Sequence, residues 1–185
     1  MTLDILIPTM PNRASMLEPL LLKLRKQIQD SPMPQRIGII TDDRTGITIG
    51  EKRGALIAAS NADYVAMIDD DDDVCDGYLP MIYTAAHLYN PDTIGIRVKY
   101  SWNGKFKCIF EHSIEHRRLW PWTMHELRRS THHLCPTRRD IASRVVWKTK
   151  MWGEDYDYAR DIMPLLETEV QLGGDWHYHY RYVPK

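Results

Sequence analysis

Three short apolar runs, "LDILI", "RIGIIT" and "YVAMI", recur early in the chain with helix-period segments between them. Leu3–Ile7 is closed by Pro8, which cannot donate to a sheet ladder and suits the end of a buried strand. Leu17, Leu20, Leu21, Leu24 and Ile28 then follow helical spacing, and Ser15-x-x-Glu18 ahead of them has the form of a capping box. Arg36–Thr41 reads as the second strand. Thr48-x-x-Glu51 has the form of another capping box and predicts a helix through Ala59. Tyr64–Ile68 is the third strand, and Leu79, Ile82, Ala86 and Tyr89 mark a helix that Pro91 ends. This β-α-β-α-β-α order predicts an α/β fold with a largely parallel sheet and helices on its faces.

The pattern then changes. Asn103-Gly104 between two alternating runs predicts a β-hairpin with a type I′ turn. Glu154–Leu166 reads as a helix that Pro164 kinks or shortens. The segment "DWHYHYRY" alternates strictly, so as a strand it places Trp176, Tyr178, Tyr180 and Tyr182 on one face and His177, His179 and Arg181 on the other. No internal repeat, low-complexity linker or clear domain boundary interrupts the 185 residues, which read as one domain.

A hydrophobic content of 43% and a charged content of 26% belong to an ordinary soluble protein. The net charge of −1 gives no overall pull towards nucleic acid or membrane. Charge is locally uneven: acids crowd into Asp69–Asp76, whereas Arg117, Arg118, Arg128, Arg129, Arg138, Arg139 and Arg144 make the later middle basic. Cys75, Cys108 and Cys135 have no paired spacing, which suits free thiols in a reducing compartment. With neither a basic leader nor a long apolar stretch at the N-terminus, the expected location is cytoplasmic.

The third strand ends in five consecutive aspartates, Asp69–Asp73. In an open α/β sheet, ligands bind at the carboxyl ends of the strands, which is where this run falls. Carboxylates in such density are tolerable when a divalent cation neutralises them, and hard oxygen ligands suit Mg²⁺ or Mn²⁺. The bland alternative is a solvated acidic loop ahead of the helix that follows Gly77. An EF-hand starting at Asp69 would need glycine where Val74 stands and glutamate where Pro80 stands. A Walker B reading lacks its partner, because "GITIGEKR" does not end as a P-loop does.

"LDILIPTMPNR", "GEKRGALIAASNADYVAMIDDDDDV" and "WGEDYDYA" together resemble the nucleotide-sugar glycosyltransferases of the GT-A fold, particularly family 2. The resemblance implies a nucleotide-sugar-binding half over about residues 1–76 and an acceptor-side half over about 77–185. Asp69 resembles the aspartate that touches the donor ribose, and Asp71 the one that binds a metal bridging the diphosphate; the degenerate run leaves Asp70 and Asp72 as alternatives shifted by one residue. Thr9 is similar to the position lining the nucleoside pocket, Asp42 to the acid that binds the nucleobase, and Arg53 to the basic residue beside it. The resemblance also places Arg13, Lys52 and Asp70 among the donor-binding residues. "TDDRTG" takes the place of the family's aspartate-aspartate-glycine-serine turn, and Gly54 stands where asparagine is frequent. Glu154-Asp155 resembles the acidic pair that supplies the catalytic base of inverting members, although both acids also suit the helix N-terminus they open.

The implied partner is a nucleotide-sugar donor, with UDP favoured; the acceptor is open, and a nucleic acid remains compatible. The implied cofactor is Mn²⁺ or Mg²⁺. Some GT-A enzymes use a late histidine on the metal or diphosphate, a role that His179 or His177 would fill, against a plain edge strand. His132-His133 with Cys135 invites a zinc site, but no second ligand pair has finger-like spacing. Trp120 and Trp122 suit either a sugar platform or the core. Two other functions fit the same features: a nucleotidyltransferase on a similar sheet, and a non-catalytic module binding sugar or nucleotide through a divalent ion.

Overall fold

The computed structural model describes residues 1–31, 33–116 and 127–184. Strands β1 (Leu3–Pro8), β2 (Ile37–Asp42) and β3 (Tyr64–Met67) form the parallel heart of a ten-stranded sheet. The short β4 (Asp73–Val74) follows β3 directly. A hairpin pairs β5 (Thr93–Trp102) with β6 (Lys105–His112). Three short strands come next: β7 (Arg128–Arg129), β8 (Thr137–Arg138) and β9 (Glu169–Gln171). The last strand is β10 (Tyr178–Tyr182). The main path through the sheet runs β2-β1-β3-β8-β5-β10-β4, with β6, β7 and β9 attached beside it.

Alternation along the central strands sorts side chains to the two faces. Leu3, Ile5 and Ile7 of β1, with Tyr64 and Ala66 of β3, pack beneath α1 (Ala14–Gln29) and α3 (Tyr78–Tyr89). Leu6, Val65 and Met67 face the other way. They pack with Leu56 and Ile57 of α2 (Ile49–Ala59), Ile141 of α4 (Arg139–Ala142), and Tyr158 and Ile162 of α5 (Glu154–Ile162). The fold is therefore the expected α/β class: a mostly parallel central sheet flanked by helices, carrying an added hairpin. At the hairpin turn Asn103 and Gly104 have φ of 48° and 73°, the left-handed conformations a type I′ turn requires.

Several elements differ from the sequence reading. The Ser15/Glu18 capping box does not form, because a 3-10 turn over Pro11–Arg13 already winds the chain and Arg13 takes the N-cap position without a side-chain cap. The Thr48/Glu51 box does form, in both directions. Alpha-helical geometry ends at Ile162, and Pro164 sits in a 3-10 turn over Met163–Leu165. The final strand starts only at Tyr178, so Trp176 and His177 lie outside it. Trp176 leaves the tyrosine face and packs edge-on to His179, with ring centroids 5.9 Å apart. Tyr180 instead stacks on Tyr100, and Tyr182 packs at a tilt against Trp102.

The helix-to-loop contact that sets up the site depends on one glycine. A Cβ at Gly50, in the first turn of α2, would stand 2.0 Å from the Lys148 carbonyl oxygen and 3.5 Å from Glu154 Cβ. Only the missing side chain lets the segment leading into α5 lie against α2. Gly50→Ala is expected to destabilise the protein by about 1–3 kcal/mol, the usual range for overpacking. Urea unfolding should show a lower midpoint at unchanged slope; an unchanged midpoint would mean that the contact yields freely.

Candidate active site

The five aspartates are spread around a reversal of the chain. The Asp72 amide donates to the Asp69 carbonyl at 3.1 Å, and β4 then runs back antiparallel to β10. The turn aims successive carboxylates in different directions, where each meets its own donor. Arg53 Nη2 donates to both oxygens of Asp69, at 2.8 and 3.0 Å. Asp70 is buried; it accepts from Thr9 Oγ1 at 2.6 Å and forms an ion pair with Arg13 Nη1 at 2.8 Å. Asp71 also pairs with Arg13, but its side chain is 45% exposed. Buried Asp72 accepts from the Tyr178 hydroxyl at 2.7 Å and the Arg181 amide at 2.8 Å. Asp73 pairs with Lys23 at 2.9 Å. A solvated loop is therefore the wrong description for this run.

These surroundings separate the acids electrostatically. Burial opposes ionisation of Asp69, yet the Arg53 guanidinium and the nearby His133 ring hold its carboxyl far below the usual range. Burial raises the Asp70 carboxyl. Burial, helped by the charge of Asp69, pushes that of Asp72 well above the usual value.

Arg53 is itself buried and holds two distant segments together. Its Nη1 donates to Glu154 Oε1 at 2.5 Å while Nη2 holds Asp69. Beneath it lies the Trp147 ring, 5.5 Å from guanidinium carbon to centroid, and Trp147 stacks on Tyr158. A Cβ at Gly54 would lie 3.6 Å from Trp147, an ordinary contact distance, so the helix and the indole lie against each other at this point. The end of β1 is fixed from the same helix: Lys52 Nζ donates to the Thr9 carbonyl at 2.5 Å, and the Thr9 amide to the Asp42 carbonyl at 2.9 Å. The Asp42 carboxylate is clasped by Arg44, whose Nε and Nη2 donate at 2.9 and 2.6 Å. The unusual "DDR" turn thus supplies its own cation at that position.

The other wall comes from α5 and the segment between β7 and β8. Glu154 and Asp155 are adjacent in sequence but differ in circumstance. The Glu154 side chain is 7% exposed, locked to Arg53, and burial raises its carboxyl. Asp155 is 37% exposed at its side chain and meets His132 Nε2 through Oδ2 at 3.2 Å. Burial opposes its charge, but the His132 and His133 rings overcome this and hold Asp155 well below the usual carboxylate range. His133 Nε2 lies 3.9 Å from Asp69 Oδ2, so the two histidines link the aspartate turn to Asp155. Burial lowers the His133 pKa to about 3.

His132 and His133 stand beside Asp155, not beside Cys135. His132, His133 and Asp155 present ligand atoms that all lie within 4.8 Å of one another. Cys135 is a buried core residue whose thiol is pushed up to about 12 by burial. Asp155 comes from an element some twenty residues on, so no local spacing could announce it.

The late histidines have other occupations. His177 Nδ1 accepts from the Arg97 amide at 3.0 Å, and Nε2 faces the Gly173 carbonyl at 3.0 Å, so both ring nitrogens serve the backbone and no lone pair remains for a metal. Half-buried His179 pairs with Ser101 Oγ at 3.0 Å. Residues that went unassigned in the sequence, Tyr178 and Arg181, instead support the aspartate turn, with Arg181 also donating to the Asp71 and Asp72 carbonyls. Arg117, Arg118, Trp120 and Trp122 lie outside the described residues.

Strand order, the acidic turn at the end of β3 and the flanking helices define a GT-A, Rossmann-like fold. Solved structures with this architecture include S. aureus TarS 1–349 in complex with UDP-GlcNAc, at a TM-score of 0.67 and 12% identity, over 98% of this chain and 59% of that one. TarS 1–349 on its own matches at a TM-score of 0.64 and 13% identity, over 98% and 60%. The chain thus spans about 59% of the first of these structures and 37% of a longer TarS structure, matched at a TM-score of 0.67 and 12% identity over 98% of this chain. At such identity the likeness establishes the fold. No protein-family model matches the chain, and a search of curated proteins finds no match.

Arg53→Ala leaves two carboxylates facing each other without their cation, and breaking a buried pair from one side costs about 3–5 kcal/mol. Because Asp69 is depressed in the folded state, the stability it contributes is present above the unfolded aspartate pKa of roughly 3.9 and is lost as pH falls towards the folded value. The wild-type advantage should therefore be full at neutral pH and shrink below about pH 4. Thermal melts of both proteins across acid pH check this; a pH-independent gap would mean that packing on Trp147, and not charge, is what Arg53 supplies.

Proposed function

We propose that this chain is a glycosyltransferase that moves a sugar from a nucleotide donor, with UDP favoured, to an acceptor hydroxyl by a single inverting displacement. The observation that carries the reading is Arg53. It ties the aspartate turn, through Asp69, to the Glu154–Asp155 pair, through Glu154, and these two segments resemble the donor and base motifs of one enzyme family. The fold likeness to a TarS structure in complex with UDP-GlcNAc supports the donor class.

Within this reading, Asp155 is the base and Glu154 is not. A base needs access to the acceptor, and Asp155 is 37% exposed where Glu154 is 7% exposed and locked to Arg53. Asp155 accepts the proton of the acceptor hydroxyl as that oxygen attacks the anomeric carbon, and the bond from that carbon to the diphosphate oxygen breaks. His132 keeps the carboxylate oriented. Thr9 and Arg13 line the donor side through their contacts with Asp70 and Asp71. Lys52 braces the Thr9 backbone from within, and Asp42 stands at the end of β2 where a base would lie. The half comprising about residues 1–76 serves the donor, and the remainder the acceptor.

The aspartate turn fits the implied Mg²⁺ or Mn²⁺ through one residue. Asp71 is the run's most exposed carboxylate after its neighbours are tied, and Arg13 contacts only its Oδ2 among the described residues. Asp71 would hold the ion with one oxygen, leaving the donor diphosphate to complete a hard-oxygen shell. The ion supplies charge stabilisation to the leaving diphosphate. His179, on the strand beside the turn, is placed to contact the donor only after giving up Ser101. Among the described residues, no helix is long and apolar enough to cross a membrane.

Asp155→Asn should lower transfer by about 10²–10⁴-fold while UDP affinity changes little, as expected for loss of a general base. Glu154→Gln should chiefly lower the melting temperature. Steady-state kinetics and calorimetry on both variants separate the two roles, and a greater loss of turnover in Glu154→Gln would reassign the base. The first-formed product should show the anomeric configuration opposite to the donor's by nuclear magnetic resonance; retention would exclude direct displacement. Release of UDP, not pyrophosphate, distinguishes transfer from nucleotidyl chemistry.

UDP binding should require Mg²⁺ or Mn²⁺ and weaken sharply in Asp71→Ala but less in Asp73→Ala. Equal UDP affinity in EDTA would remove the ion from donor recognition.

A further inference from the structure

We propose that His132, His133 and Asp155 form a second cation site, selective for a transition metal of the zinc class and separate from the hard-oxygen turn at Asp71. Two imidazoles and one carboxylate are a donor set that zinc accepts in three-ligand sites with an open fourth position. With metal–nitrogen bonds of roughly 2.0–2.1 Å, tetrahedral ligands stand about 3.3 Å apart. His132 Nε2 and Asp155 Oδ2 already stand 3.2 Å apart. The three ligand atoms lie within 4.8 Å of one another, so a small side-chain shift of His133 completes the triangle.

A second observation points to a ligand. His133 is only 6% exposed, yet neither of its ring nitrogens has a hydrogen-bond partner. A buried imidazole normally finds a partner for each nitrogen, and a metal ion satisfies one of them. Local charge also fits. The three carboxylates of Asp69, Glu154 and Asp155 outnumber the guanidinium groups of Arg53 and nearby Arg129. The backbone prepares the arrangement: the Cys135 amide donates to the His132 carbonyl at 2.9 Å, closing the tight turn that carries both histidines. Asp155 is the most exposed ligand of the three.

The two sites sort cations by softness. Mg²⁺ prefers the all-oxygen turn, and imidazole ligands favour Zn²⁺ or Co²⁺ over Mg²⁺ and Mn²⁺. An ion held by Asp155 occupies the lone pair that accepts the acceptor proton. Zinc therefore inhibits transfer in competition with the acceptor, a consequence that rests on the proposed role of Asp155.

Co²⁺ added to the full chain in excess Mg²⁺ should give the visible absorption of a four-coordinate nitrogen–oxygen site, and Zn²⁺ should displace it. Zn²⁺ affinity by calorimetry should fall about tenfold or more in Asp155→Asn and His133→Asn and persist in Asp71→Asn; ligand changes of this kind rarely cost less. Melting curves without metal identify any variant that fails to fold, and partly exposed Asp155 is the safer of the two ligand changes. No cobalt spectrum in the wild type, or Zn²⁺ affinity unchanged in Asp155→Asn, overturns the site. Zn²⁺ bound at these ligands with undiminished transfer upholds the site and removes Asp155 from the role of base.

Discussion

A guanidinium sealed inside a protein needs anions, and sealed carboxylates need a cation. Arg53 answers both needs at once, with Asp69 on one side and Glu154 on the other. Neither half of this arrangement is stable alone, since an uncompensated buried charge costs far more than a completed pair returns. The triad therefore fixes the distance between the end of β3 and the start of α5. Its surroundings serve that geometry: Trp147 underlies the guanidinium, and Gly50 lets the approach to α5 press against the helix bearing Arg53.

Seen from this triad, the aspartate run ceases to be one feature. Five like charges coexist because a tight turn distributes them among separate partners in α1, α2, β10 and the segment just after β1. Asp70 and Asp72 stay buried and burial raises both carboxyls, Arg53 and His133 hold that of Asp69 down, and Asp71 reaches solvent. A single pattern in the chain thus yields structural carboxylates and an accessible one, distinguished only by what packs against each.

The parallel core was legible because β1, β2 and β3 are apolar runs bounded by helical periods, and because each signal is local. Thr48 with Glu51 and Asn103 with Gly104 were readable for the same reason: their interactions span three residues or fewer in sequence. Where a non-local contact decides, reading failed. The two-residue strands β4, β7 and β8 have no periodicity of their own and exist only as partners of longer strands. His177 looked like a strand residue facing solvent, yet its ring is drawn into the backbone of Arg97 and Gly173. The Asp69, Asp71, Glu154 and Asp155 positions were visible as motifs, but that Arg53 joins Asp69 to Glu154, and that His132 and His133 stand between Asp155 and Asp69, depends on the assembled sheet.

The placement of β10 has a consequence in time. It lies between β5 and β4, and its Tyr178 and Arg181 reach back 106 and 109 residues to Asp72. A ribosome delivers the aspartates long before it delivers these donors. During that interval Asp72 has neither its tyrosine nor its arginine, and the reversal it anchors lacks a wall. Contacts of such long sequence separation also form slowly, because the intervening chain must first be ordered. The acidic turn is consequently among the last parts of the molecule to mature, so a partly made chain would hold a core before it held a working cleft.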